Sequence, residues 1–175
     1  MKKTLMILLL IFCLGLFMSG CVSSISKEIR SQVDFSVRLN DVREDPENYL
    51  DKMVLWAGVI VSAENLKEGT LIEIVQKPTN SEKRPRNVDQ SEGRFLALHE
   101  GYLDVAIYAE DREVTVAGNI KETRKRPLGE IEYAYPVVYA KEIHLWPVRS
   151  EKTGYIYPAW HYPSWYYYPY WRGRW

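Results

Sequence analysis

Five short runs between residues 52 and 147 carry the pattern of β-strands, and this pattern constrains the fold more than any other part of the chain. The clearest run is 113–121, in which Val114, Val116 and Ile120 alternate with side chains of the opposite face. The other predicted strands cover residues 53–62, 70–76, 94–99 and 136–146. The pattern therefore predicts a mainly β domain, with a long loop over residues 76–93.

Two of these predicted strands share a V-x-x-A-G-x-I frame, which places Gly58 and Gly118 inside strands. Glycine weakens a strand and usually marks a bulge or a tight bend, so two such kinks favour a small, strongly coiled barrel. A short helix is predicted at 46–50, because proline follows Asp45 at the first helical position. We expect a five-stranded, OB-like Greek-key barrel over 37–150. The alternatives are chance similarity of the two frames, and another small barrel or a sandwich.

The first 21 residues are organised as the signal of a bacterial lipoprotein. Two lysines precede thirteen apolar residues, 5–17, which fall short of the ~20 that a membrane-spanning helix needs. A lipobox follows, and it consists of Met18, Ser19, Gly20 and Cys21. We expect signal peptidase to cleave residues 1–20 and the Cys21 thiol to carry a diacylglycerol. An uncleaved anchor, or an ordinary secretory signal with a chance cysteine, is the alternative.

Cleavage would leave a nearly neutral domain without a free thiol. The remaining 155 residues carry 21 basic and 23 acidic side chains, which gives no strong positive field for nucleic acid. Cys13 leaves with the signal and Cys21 carries the lipid, so we expect no disulfide, no thiolate metal site and no cofactor besides that lipid. Several acyl chains anchor a protein durably. Val22, where inner-membrane lipoproteins commonly have Asp, favours an outer-membrane location facing the periplasm.

The segments on either side of the predicted barrel have different characters. Residues 21–36 are polar and are predicted to be a lipidated tether. Residues 151–175 form a tail in which 11 of 25 residues are Trp or Tyr, side chains that suit the bilayer interface. We expect this tail to contact the membrane or envelope glycan, and the alternatives are packing on the barrel and a flexible end. The candidate contact residues are Trp160, Trp165, Trp171, Arg172, Arg174 and Trp175.

The remaining candidate sites are an aromatic side chain, a basic run and three histidines. Trp56 could line a ligand-binding face of the barrel. A basic run could bind lipid phosphate or simply be solvated. Nucleic acid is not an expected ligand. The run consists of Lys121, Arg124, Lys125 and Arg126. His99, His144 and His161 lack metal-ligand spacing, so no metal is expected. No nucleophile elbow, HExxH motif or phosphate-binding glycine loop is present, so we expect no catalytic residues. An enzyme with an assembled carboxylate site is the alternative.

Several segments together resemble the Slp family of starvation-inducible outer membrane lipoproteins. They are Asp45–Ile60, Arg94–Leu98, Tyr102–Asp104, Val114–Gly118 and the aromatic C-terminus. The resemblance covers about 37–150 and implies an outer-membrane address and an envelope role in stressed or starved cells. The implied partners are membrane lipid and envelope components such as peptidoglycan. The family brings no catalytic residues to carry over, and the oligomeric state and ligand are left open.

Overall fold

The computed structural model describes residues 24–149, which contain two short helices, one helical turn and five strands. The helices are α1 (Lys27–Gln32) and α2 (Leu39–Glu44), followed by a 3-10 turn at Pro46–Tyr49. The strands are β1 (Met53–Leu66), β2 (Gly69–Gln76), β3 (Arg94–His99), β4 (Glu113–Leu128) and β5 (Ile131–Leu145). None of the helices in this part of the chain is long and apolar enough to cross a membrane.

The five strands close into a barrel in the order β1-β2-β3-β5-β4. All neighbours are antiparallel except β3 and β5, which are parallel. The first half of β1 pairs with β4 and its second half with β2, so this one strand closes the barrel. The prediction of a mainly β domain with five strands is confirmed.

Glycines at two places let neighbouring strands approach closely. The two V-x-x-A-G-x-I frames pair with each other, so that Val54 faces Gly118 and Gly58 faces Val114. A Cβ at Gly58 would lie 2.1 Å from the Val75 carbonyl oxygen, and one at Gly118 would lie 2.2 Å from that of Tyr139. The register of β4 and β5 shifts next to Gly118, whereas the shift in β1 lies beyond Gly58, after Ile60. The predicted kink is therefore at Gly118, and Gly58 provides a close approach.

An apolar core fills the barrel and continues into its caps. Trp56 and Phe95 meet edge to face at its centre, with 5.3 Å between ring centroids. Leu39 and Val42 of α2 join this core, since residues three apart share one face of a helix. Leu103 and Tyr108, from the loop between β3 and β4, pack against the same core.

A second buried cluster lies on the outer face of the sheet. Its members alternate along their strands with the interior residues, and they are Leu71, Leu96, Leu98, Tyr135 and Val137. The pairing of β4 with β5 continues to Leu128 and Ile131, well beyond the predicted strand ends, and forms an extended β4–β5 arm over residues 121–135. Tyr133 of this arm packs against the cluster, and the Tyr135 hydroxyl donates to Glu73, which forms an ion pair of 2.6 Å with Arg94.

The structure differs from the sequence expectation before β1. Residues 24–36 were predicted as part of a tether, but Ile25 is buried and the Asp34 amide donates to the Met53 carbonyl oxygen over 2.8 Å. The segment also includes α1, whose first turn is capped by Ser26. This segment therefore packs along the barrel, because it brings an apolar side chain and backbone groups that β1 can satisfy. The helix predicted at 46–50 is the 3-10 turn, and α2 was not predicted.

Candidate membrane-facing site

A small hairpin at residues 78–86 is the structural centre of the candidate site. Thr79 pairs with Pro85 in a single β-bridge, and the Asn80 side chain accepts hydrogen bonds from the backbone amides of Glu82 and Arg84, at 3.0 and 2.9 Å. An Asn side chain that bonds the following amides stabilises a turn, so the tip of this hairpin is well defined. Lys83 occupies the tip with a φ of 67°.

The hairpin is fastened to the first residues of β4. The fully buried Thr115 donates its hydroxyl to the Lys83 carbonyl oxygen over 2.7 Å and accepts a hydrogen bond from Trp146 Nε1 over 2.9 Å. Arg84 Nε lies 2.6 Å from a carboxylate oxygen of Glu113, and both side chains are largely buried. A charge-assisted bond at this distance is stronger than a neutral one. The hairpin is therefore a rigid part of the domain.

Both ends of the described chain meet this hairpin. The Ser24 hydroxyl donates to the Glu82 carbonyl oxygen over 3.1 Å. At the other end, Arg149 binds the second oxygen of Glu113 at 2.7 Å and also donates to the Pro85 carbonyl oxygen. Ser24 and Arg149, the first and last residues that the structure describes, therefore both lie beside this hairpin.

The surface around the hairpin is basic and partly apolar. Residues 77–86 contain four cationic side chains and one carboxylate. Within residues 24–149, neither Lys83 nor Arg86 has a salt-bridge partner. Lys83 Nζ lies 4.9 Å from the ring centroid of Phe35, which is 54% exposed. We call the surface formed by Ser24, Phe35 and the 78–86 hairpin the anchor face.

Hydrogen bonding fixes the turn that presents Phe35. The Asp34 carboxylate accepts from the hydroxyl and the amide of Ser36, at 2.6 and 3.1 Å. These bonds, with a smaller contribution from Lys52, hold the pKa of the Asp34 carboxyl below its ordinary value, because they favour the charged form. The exposed ring of Phe35 is thus carried by an ordered turn.

The basic run predicted from the sequence is neutralised by carboxylates. The ion pairs are Lys121–Asp51, Arg124 with Glu68 and Glu122, Lys125–Glu132 and Arg126–Glu64. Arg124, Lys125 and Arg126 follow the end of the predicted strand 113–121, but all three lie in paired β-structure of the β4–β5 arm. The run is therefore not a free patch for lipid phosphate, which corrects that expectation.

The structure places Trp56 in the core and not on a ligand face. Trp56 is only 6% exposed, its Nε1 donates to the Val37 carbonyl oxygen over 3.2 Å, and its ring packs on Phe95. A ring enclosed in this way has no free face on which a ligand could stack. The predicted ligand face at Trp56 is corrected accordingly.

The other sequence candidates are distributed as follows. His144 packs against Trp146 with 4.4 Å between ring centroids, and His99 lies on β3. Within residues 24–149, no group of three or more His, Cys, Asp or Glu side chains is arranged to hold a metal ion. Several candidates fall outside the described residues, namely Met18, Ser19, Gly20, Cys21, Trp160, His161, Trp165, Trp171, Arg172, Arg174 and Trp175.

The anchor face was missed at the level of sequence. The signal that could have drawn attention to it is the group Lys83, Arg84 and Arg86 around Pro85, which places three basic residues within four positions. Its position could not be read from the sequence, because Ser24 and Glu82 are 58 residues apart.

Comparisons with known proteins identify relatives over nearly the whole chain. The sequence model described as "Outer membrane lipoprotein Slp family" matches residues 18–171. An uncharacterized protein of Haemophilus influenzae is 30% identical over 99% of this chain and 93% of its own length. Outer membrane protein Slp of Escherichia coli is 28% identical, covering 91% of this chain and 85% of the relative. An uncharacterized lipoprotein of Escherichia coli, YeaY, is 26% identical, covering 78% and 70%.

Proposed function

The chain belongs to the outer membrane lipoprotein Slp family, and from that premise we propose that it is a non-enzymatic lipoprotein anchored in the outer membrane through lipid on Cys21. The domain faces the periplasm and has a structural role in the envelope of stressed or starved cells. The aromatic tail contacts the same membrane, or envelope glycan, as a second attachment.

The observation that carries this proposal is the convergence of both chain ends on the 78–86 hairpin. Ser24 and Arg149 contact the carbonyl oxygens of Glu82 and Pro85, which are three residues apart. Three residues span at most about 11 Å, so Cys21 is within that distance of Ser24. The tail at 151–175 follows Arg149 by one residue and would therefore begin close to the bilayer that holds Cys21, which supports a contact between the tail and that membrane.

The barrel supports a structural role better than a ligand-binding or catalytic one. Its interior is occupied by buried side chains, including Trp56 and Phe95, as expected of a barrel with a packed core. We also assign the barrel to the OB type. Its support is the strand order, in which four antiparallel pairs and one parallel pair join five strands.

Lipidation of Cys21 is tested by labelling cells with radioactive palmitate. We expect the label on the wild-type protein and on Cys13→Ser, which changes a cysteine in the predicted signal, and no label on Cys21→Ser. Absence of label from the wild type, or equal label on Cys21→Ser, would contradict the proposal. Separation of the inner and outer membranes then shows which of them contains the labelled protein.

The tail contact is tested with unlipidated protein carrying Cys21→Ser. Binding to liposomes and to purified peptidoglycan is compared for the complete mature chain, for a chain lacking 155–175, and for a chain of full length with its four tail tryptophans replaced by serine. We expect both changes to weaken binding to the same envelope component, because ring surface is lost in both. Unchanged binding of both variants would overturn the tail contact.

A further inference from the structure

We infer that the anchor face itself binds anionic phospholipid of the membrane that holds Cys21, with Lys83 and Arg86 on lipid phosphate and Phe35 at the bilayer interface. This inference deepens the proposed function and rests on lipidation of Cys21 for its geometry. The partner is the headgroup layer of a phospholipid bilayer, and the contact is made by the folded domain, independently of the aromatic tail.

The chain length before Ser24 brings this face to the bilayer. Only residues 22 and 23 separate Cys21 from Ser24, and the Ser24 hydroxyl is bound to the Glu82 carbonyl oxygen. The span from Cys21 to Ser24 is at most about 11 Å. The hairpin that holds Ser24 is thus kept near the headgroups.

Charge complementarity identifies the partner. Lys83 and Arg86 are the hairpin cations without a salt bridge in the described part of the chain, whereas Arg84 and Arg149 share the single carboxylate of Glu113. The exposed carboxylate of Glu82 only partly offsets these charges, and the carboxylate of Asp34 is paired with Lys52 at 3.9 Å. The surface is therefore positive where the bilayer lies, and anionic headgroups attract such cations by about 1 kcal/mol each.

Phe35 adds an apolar element to the same place. Its ring is 54% exposed although the domain has a well-filled core, and Lys83 Nζ lies 4.9 Å from its centroid. Phenylalanine is one of the apolar side chains that surface-bound proteins bury at the boundary between headgroups and acyl chains. A cation beside an exposed ring matches that boundary, because the ring can enter the apolar layer while the ammonium stays at the phosphates.

The first test measures vesicle binding by the full mature chain with Cys21→Ser, so that no lipid anchor is present. Sedimentation is compared for phosphatidylcholine vesicles with and without phosphatidylglycerol. We expect Lys83→Gln with Arg86→Gln to weaken binding to the anionic vesicles about 25-fold, as two lost cations predict. The charge-matched control is Lys67→Gln with Lys125→Gln, two exposed lysines outside the anchor face, and it should bind nearly as the unsubstituted chain does.

The second test uses the complete lipidated protein in vesicles that contain a headgroup spin label. A fluorophore at the exposed Ser81, on the hairpin, should be quenched strongly, and one at the exposed Ser62, on β1, should be quenched weakly. Equal quenching at the two positions, or equal loss of vesicle binding in the two double variants, would overturn the inference. If Cys21 is not lipidated, the first test is unaffected, because it uses Cys21→Ser. If the tail makes no contact, all variants of the first test bind more weakly to the same extent. Failure of the proposed function can therefore be distinguished from failure of this inference.

Discussion

The β4–β5 arm and the 78–86 hairpin are both basic in sequence, but their cations have different surroundings. In the arm, Lys121, Arg124, Lys125 and Arg126 all contact carboxylates, and two of the partners belong to the β1–β2 region. On the hairpin, Lys83 and Arg86 have no such partner within residues 24–149. The difference teaches that the number of basic residues in a segment does not identify a binding surface. Carboxylates contributed by distant strands decide whether such a segment holds the fold together or remains available to a partner.

The largest expected effect concerns the apolar cluster beneath the arm. Leu96→Ala should lower the free energy of unfolding by about 2–5 kcal/mol, because Leu96 is fully buried and its loss leaves a cavity. Urea unfolding measures this change. Leu66→Ala, at a side chain 37% exposed, is the control and should have a much smaller effect. Equal effects would show that the arm region is not a second core.

The second largest effect on stability is expected at Glu113, which holds the 78–86 hairpin. Glu113→Gln should lower the free energy of unfolding by about 1–3 kcal/mol, because Arg84 and Arg149 lose the carboxylate they share. Urea unfolding and limited proteolysis within 78–86 check this result. Glu132→Gln removes the carboxylate of an exposed pair with Lys125 and should change little. If the 78–86 hairpin of Glu113→Gln resists proteolysis as well as that of the wild type, Glu113 does not hold the hairpin in place.

A reciprocal pair of variants tests the comparison directly. Arg124→Gln should lower the free energy of unfolding by about 0.5–1 kcal/mol, since contacts to Glu68 and Glu122 are lost, and should leave vesicle binding unchanged. Lys83→Gln should leave stability unchanged and weaken binding to anionic vesicles. If both variants lower only stability, or both weaken only vesicle binding, the two segments do not have different roles.

The smallest expected effect is a dependence of stability on alkaline pH. Burial, with the nearby Glu73 carboxylate, raises the pKa of the Tyr135 hydroxyl above 10.0. The folded protein therefore holds this proton more tightly than the unfolded chain does. The resulting stability is complete below the unfolded pKa and is lost as the pH rises through the folded pKa. Tyr135→Phe should show a smaller loss above about pH 10 in urea unfolding, and Tyr102→Phe, at an exposed ring, should behave as the wild type.

Local patterns predicted four of the five strand starts to within one residue, and they missed the β4–β5 arm, where β4 ends and β5 begins. The run at 113–121 was recognised because Val114, Val116 and Ile120 alternate, and the start of β4 is as expected. The continuation to Leu128 was missed because its residues are charged and lack an apolar face. Their β-structure depends on pairing with β5 and on carboxylates such as Glu64, 62 residues away from Arg126. Interactions at that separation leave no local pattern.

The candidate site was the least predictable part of the molecule. The lipobox predicts where an anchor is attached, but not which surface lies beside it. That surface is defined by Ser24 reaching Glu82 and by Arg149 reaching Glu113, contacts between segments that are far apart in the chain. In contrast, the kink at Gly118 was predictable, because glycine in an alternating strand has a local steric cause.

The meeting of the first and last described residues at one hairpin has a mechanical consequence. A pulling force applied between residues 24 and 149 would act on the contacts that these residues make with Glu82, Pro85 and Glu113. These are side-chain contacts and not strand pairing, so they would be among the first contacts to break under such a force.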